Sequence, residues 1–157
     1  MTAPQDKARV KDKRKALRAL SMQALYELDF FPEEEAGAQL ELFLSTPFSP
    51  EEGEGEALIL TEEEKAAFSE RILSILSMKE ELDASIEKAS PGWKLSRMSR
   101  VDLAILRLAL YELRYDESIP VKVAINEAVD LAHLYGGDNS YQFVNGVLSV
   151  FAREADE

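Results

Sequence analysis

Apolar side chains recur at steps of three and four through most of this 157-residue chain, the spacing that gathers them on one face of an α-helix. The first run, from about Lys13 to Asp29, carries Leu17, Leu20, Ala24 and Leu28 and predicts a helix with one buried stripe. Gln39 to Leu44 reads as a short amphipathic helix after Pro32, and Pro47, Pro50, Gly53 and Gly55 make the stretch beyond it a loop. Thr61 and Glu64 have the spacing of a capping box. Phe68, Ile72, Ile75, Leu82 and Ile86 then keep helical phase to about Lys88, which predicts one long helix. Pro91 and Gly92 end that segment, and Trp93 is expected to plug the junction as a core residue.

Arg97 to Tyr115 differs in kind, with Ala104, Ile105, Leu108 and Tyr111 on one face and Leu103, Leu106, Leu110 and Leu113 on the other. A helix apolar on two sides belongs between layers. After Ile119-Pro120, the residues Val121, Ala124, Ile125, Ala128, Ala132 and Tyr135 form a wide stripe that Gly136-Gly137 terminates, and Asp138 or Asn139 is expected to cap the last helix. There Phe143, Val144, Val147, Val150 and Phe151 face inward. Gly146 costs about 1 kcal/mol relative to alanine in a helix, so a close helix contact is expected at it. No run alternates as a strand does, and the predicted fold is all-α with six or seven helices.

The length suits a single helical domain over residues 13–157, preceded by a flexible basic arm at 1–12 and interrupted by an acidic connector at about 45–60. There is no cysteine, which excludes disulfides, thiolate metal sites and a cysteine nucleophile. The most apolar stretch, Val101 to Leu113, is broken by Asp102, Arg107 and Glu112, so no membrane span is expected and the protein reads as cytoplasmic.

Charge changes the picture. The chain carries −12, yet residues 1–20 hold seven basic and two acidic residues for +5, leaving −17 on the remainder. Between Arg18 and Lys65 there is no Lys or Arg and there are 13 Asp and Glu. Clustered cations on an acidic body imply a polyanionic partner met at one place, because Lys and Arg neutralise phosphates and release counterions. A charged terminus that only confers solubility fits the same composition, and the pattern leaves both readings open. His133 is the only histidine, with Asp130 three residues before it. A carboxylate-bridged metal pair needs a second histidine, so no metal, no cofactor and no catalytic centre are expected. Gly136-Gly137 lacks the flanking strand and Lys of a phosphate cradle.

Three blocks of the last third, Leu106 to Leu113 (LRLALYEL), Ile119 to Ala128 (IPVKVAINEA) and Phe143 to Leu148 (FVNGVL), resemble in order and spacing the C-terminal signature of the bacterial NusB transcription antitermination family. Arg14-Lys15, Arg18 and Gln23 to Tyr26 resemble its arginine-rich opening. The likeness covers residues 13–30 and about 60–152. It implies two three-helix bundles packed across a central helix and no enzymatic activity. It further implies binding of boxA-type ribosomal RNA leader sequences together with the ribosomal protein NusE, within an RNA polymerase antitermination complex. Some members of the family form homodimers.

Carried over by position, Arg14, Lys15 and Arg18 fall on the basic motif, and Lys11 and Lys13 add charge beside it. On the RNA side the resemblance implies Asn139, Ser140 and Gln142 as hydrogen-bonding groups and Tyr135 as a stacking surface. Asp102 falls where the family meets its ribosomal partner, and Arg107 lies on the same helix. Lysine is as common as arginine in this opening, and lysine lacks the bidentate fork that arginine uses on guanine or phosphate. Two other functions compete: a protein-only helical adaptor or homodimer held through the basic arm, and an RNA-recruitment module for a separate rRNA methyltransferase. The second would need a catalytic partner.

Overall fold

The computed structural model describes the backbone of residues 4–46 and 58–155, and the side chains of 13–46 and 58–154. Among these residues are seven α-helices, two single-turn 3-10 helices and no β-strand, in agreement with the all-α class expected from periodicity. The chain divides into two compact units, Met1–Leu73 and Ser74–Glu157.

In the first unit, α1 (Pro4–Leu28) begins well before Lys13 and runs through residues 4–12, which were expected as an arm. Proline at the first helical position loses only an N–H that would have no partner, and the Ala, Lys and Arg that follow are strong helix formers. Its stripe is buried at Leu20, Ala24 and Leu28 as the spacing predicts, with Leu25 beside it. Pro32 stops the helix, a 3-10 turn follows at Glu33–Glu35, and α2 (Ala36–Ser45) packs on α1 with Ala36 and Leu40 buried. Most of the acidic connector lies outside the described residues. The predicted capping box opens α3 (Glu62–Ser77): Glu64 N–H donates to Thr61 Oγ1 at 3.1 Å and Thr61 N–H donates to Glu64 Oε1 at 3.0 Å.

The single long helix expected from Thr61 to Lys88 is two helices, because the chain breaks at Met78 (φ −101, ψ 8) before α4 (Lys79–Lys88). Ser77 Oγ donates to Ser74 O at 2.6 Å and Met78 N–H donates to Ile75 O at 3.1 Å, local bonds that compete with the α-helical ladder. In the second unit α5 (Arg100–Tyr115), capped by Ser99 Oγ accepting from Asp102 N–H at 3.0 Å, is buried without interruption from Asp102 to Leu110. It packs against α4, α6 (Val121–Tyr135) and α7 (Ser140–Ala155), which accounts for its two apolar faces. Tyr115 OH, donating to Glu81 Oε1 at 3.1 Å, adds a tie between α5 and α4.

Two glycines separate clearly. A Cβ at Gly136 would collide with Ser140 Cβ and lie 2.6 Å from Ala132 O, so the end of α6 and the start of α7 meet as closely as glycine permits. At Gly146 nothing lies within 4 Å of a built Cβ, so the close helix contact expected there is absent and the residue faces open space.

Candidate nucleic-acid interface

On α1 the stripe that buries Leu20, Ala24 and Leu28 fixes which way the basic residues point. Lys13, Arg14 and Lys15 are exposed and Arg18 is half-buried. Arg14 and Arg18 are one helical turn apart, with Lys15 beside them, so they form one ridge. Lys11 lies on the same helix, with its side chain outside the described set. Lys13 is engaged within the protein: its Nζ is 2.7 Å from Glu64 Oε2. That bond, with the Thr61 N–H next in importance, holds the Glu64 carboxyl below its ordinary pKa. Lys13 thus ties α1 to the start of α3, and Arg14 and Lys15 are the outermost cations of the ridge.

In the second unit the turn between α6 and α7 is built from its own polar groups. Gly136 N–H donates to Ala132 O at 2.9 Å, and Gly137 N–H donates to Ser140 Oγ at 2.9 Å. Phe143 N–H closes the first turn of α7 on Asn139 O at 3.2 Å, so Asn139 stands at the cap position as expected, while the side-chain bond of this turn is made by Ser140. Ser140 is 7% exposed, so this residue, expected to face RNA, is turned inward to shape the turn. Asn139 and Gln142 are exposed, and Tyr135, 36% exposed, ends α6. His133 is exposed and stacks on Tyr141, with ring centroids 4.1 Å apart and planes inclined by 19°. Gln142 Nε2 donates to the Tyr141 hydroxyl at 3.2 Å, giving a rim of ring edges and amides beside the turn.

Trp93 corrects an expectation: it is 53% exposed rather than plugged into the core. Ser90 to Trp93 is a type II turn, with Pro91 in second place, Gly92 in third at φ +85, and Trp93 N–H donating to Ser90 O at 3.0 Å. Only glycine takes that φ without strain, and the turn throws the next residue outward. Trp93 and Tyr141 were both missed as surface aromatics. The Pro-Gly pair was a usable signal for the first, whereas the second depends on a contact between helices that no spacing encodes.

The residues expected to meet a protein partner lie deeper. Asp102, in the first turn of α5, is 7% exposed, and its Oδ1 makes no hydrogen bond. Its charge is favoured by the helix N-terminus, but an unbonded buried acceptor is costly. Arg107 is corrected from a surface candidate to an interior one. It is 4% exposed, and its Nε and Nη2 donate to the two carboxylate oxygens of Asp83 at 2.7 and 2.9 Å, clamping α5 to α4. Among the described residues no group of His, Cys, Asp and Glu could hold a metal ion, and no helix is long and apolar enough to cross a membrane.

Fold and charge together define an all-helical protein with a cationic first helix on an acidic chain. The profile of the NusB family matches residues 15–153. The transcription antitermination protein NusB of Agathobacter rectalis is 42% identical over 139 residues, covering 88% of this chain and 98% of that protein. That of Acetivibrio thermocellus is 40% identical over 138 residues, covering 86% and 85%. Among solved structures, NusB of T. maritima superposes with a TM-score of 0.73 at 30% identity, covering 98% of this chain and 94% of that one. A chain from the crystal structure of a plectonemic RNA supercoil does so with 0.68 at 25%, covering 92% and 96%. This chain belongs to the NusB family.

Proposed function

We propose that this chain is an RNA-binding transcription antitermination factor that takes boxA-type ribosomal leader RNA together with NusE. The observation that carries the proposal is the outward basic ridge of α1, on a chain otherwise strongly acidic, in a family whose relatives bear the name transcription antitermination protein. Arg14, Lys15 and Arg18 neutralise phosphates, with Lys11 adding to the field, while Lys13 contributes only when RNA competes with Glu64 for it. Asn139 and Gln142 offer donors and acceptors to unpaired base edges, and Tyr135 offers a ring. Asp102 is assigned to the protein partner from its place in the family's pattern; its Oδ1 is buried and makes no hydrogen bond in the free chain.

Fluorescence anisotropy of a short boxA-like RNA against a scrambled one, with and without NusE, tests this. The expected result is preference for the boxA-like sequence and tighter binding with NusE. Asp102→Asn should weaken the gain from NusE and leave binding to RNA alone unchanged. Equal affinity for both RNAs, with no effect of NusE, would move the function to a protein-only helical adaptor.

A further inference from the structure

Outside α1, the basic residues are not scattered evenly. Positions 21–157 contain eleven Lys and Arg, and four of them, Lys88, Lys94, Arg97 and Arg100, fall in the thirteen residues 88–100, where there is no Asp or Glu. In the middle of this second basic stretch stands Trp93, the only tryptophan of the chain and more than half exposed. A lone apolar residue on a surface is ordinary, but a large ring flanked by cations is the combination that single-stranded nucleic acid uses, with bases stacking on the ring and phosphates meeting the charges.

The local geometry gathers these groups. The left-handed Gly92 fixes the turn that projects Trp93. The ring leans on Phe143 with centroids 5.7 Å apart and planes at 57°, which steadies the indole while leaving much of it open. Lys94 caps the 3-10 helix Leu95–Arg97, and Arg97 N–H donates to Lys94 O at 2.9 Å. Lys94 and Arg97, at the two ends of this single turn, are both exposed. Leu95 N–H donates to Glu87 Oε2 at 3.4 Å, anchoring this turn to α4. Phe143 belongs to the first turn of α7, directly after the exposed Asn139 and Gln142. The Trp93 contact therefore brings the second basic stretch beside the α6–α7 turn, inside the same unit.

We infer that Trp93, Lys94 and Arg97 form a further contact for single-stranded RNA, in which Trp93 stacks an unpaired base and the two cations neutralise the phosphates beside it. The inference rests on the RNA-binding function proposed above and extends it to residues outside α1 and the α6–α7 turn.

Because Trp93 is the sole tryptophan, its own emission reports the contact. The full chain is titrated with a 5′-labelled single-stranded boxA-like RNA extended by several nucleotides at each end, reading label anisotropy and tryptophan emission together. Binding in anisotropy with quenching of Trp93 at the same midpoint is expected. Trp93→Ala should weaken affinity about fivefold or more while Trp93→Phe stays within about twofold of wild type, since stacking needs a ring and not an indole. Lys94→Ala with Arg97→Ala should flatten the log-affinity against log-salt slope by about 1.4, and melting temperatures of the variants identify any loss due to unfolding. Anisotropy binding with unquenched emission and unchanged affinity in Trp93→Ala and the double variant would overturn this inference alone. No binding of any RNA would overturn the function proposed above. An emission shift that depends on protein concentration without RNA would assign the patch to a second copy of the chain and overturn the RNA contact.

Discussion

Gly136 shows what a single residue decides. A methyl group there has nowhere to go, because Ala132 O is backbone and Ser140 is already committed to Gly137 N–H. Gly136→Ala is therefore expected to destabilise the protein by about 1–3 kcal/mol, measured by urea unfolding, through overpacking at a rigid turn. At Arg107 the governing term is charge. Its guanidinium and Asp83 sit together out of water, so Arg107→Ala strands the Asp83 carboxylate and is expected to cost about 3–5 kcal/mol, with a smaller loss when both are replaced by apolar residues. Glu64 adds a pH dependence. Its pKa is lowered in the folded protein, chiefly by Lys13, so its contribution is fully present above the ordinary glutamate value and is lost as pH falls through the lowered one. Lys13→Ala should raise the Glu64 pKa in an NMR titration; an unchanged value would show that Lys13 does not hold it.

At the scale of elements, burial sets helix phase, which is why so much was legible. Leu20, Ala24 and Leu28 in α1, Phe68, Ile72 and Ile75 in α3, and Val144 and Val147 in α7 are buried where the three-and-four spacing puts them. The break at Met78 left no trace in that pattern, because Leu82 and Ile86 continue the phase of Ile72 and Ile75 across it. Trp93 was misread for a similar reason: its size argued for burial, while the turn before it, governed by Gly92, argued for exposure and prevailed. Of the candidate site, the cationic ridge was legible as charge. The inward turning of Ser140 and Arg107 was not, since their partners, Gly137 N–H and Asp83, are found only once the chain folds. Gly146 allows a prediction for α7: with open space at its Cβ, Gly146→Ala should stabilise by about 1 kcal/mol and raise Tm by about 2–4 °C in a thermal melt.

At the scale of the whole molecule, the separation of charge dominates: +5 on residues 1–20 against −17 on the rest. An acidic chain repels RNA over most of its surface, so affinity must be concentrated at its few cationic places and must be sensitive to salt. The most direct test is the slope of log affinity against log salt for a short boxA-like RNA, compared between the wild-type chain and a variant with Arg14, Lys15 and Arg18 all replaced by alanine. If the α1 ridge contacts the backbone at these three positions, the slope should fall by about 2 at nearly unchanged helicity and melting temperature. An unchanged slope and affinity in a folded triple variant would contradict the account, because the RNA would then be held elsewhere than on α1.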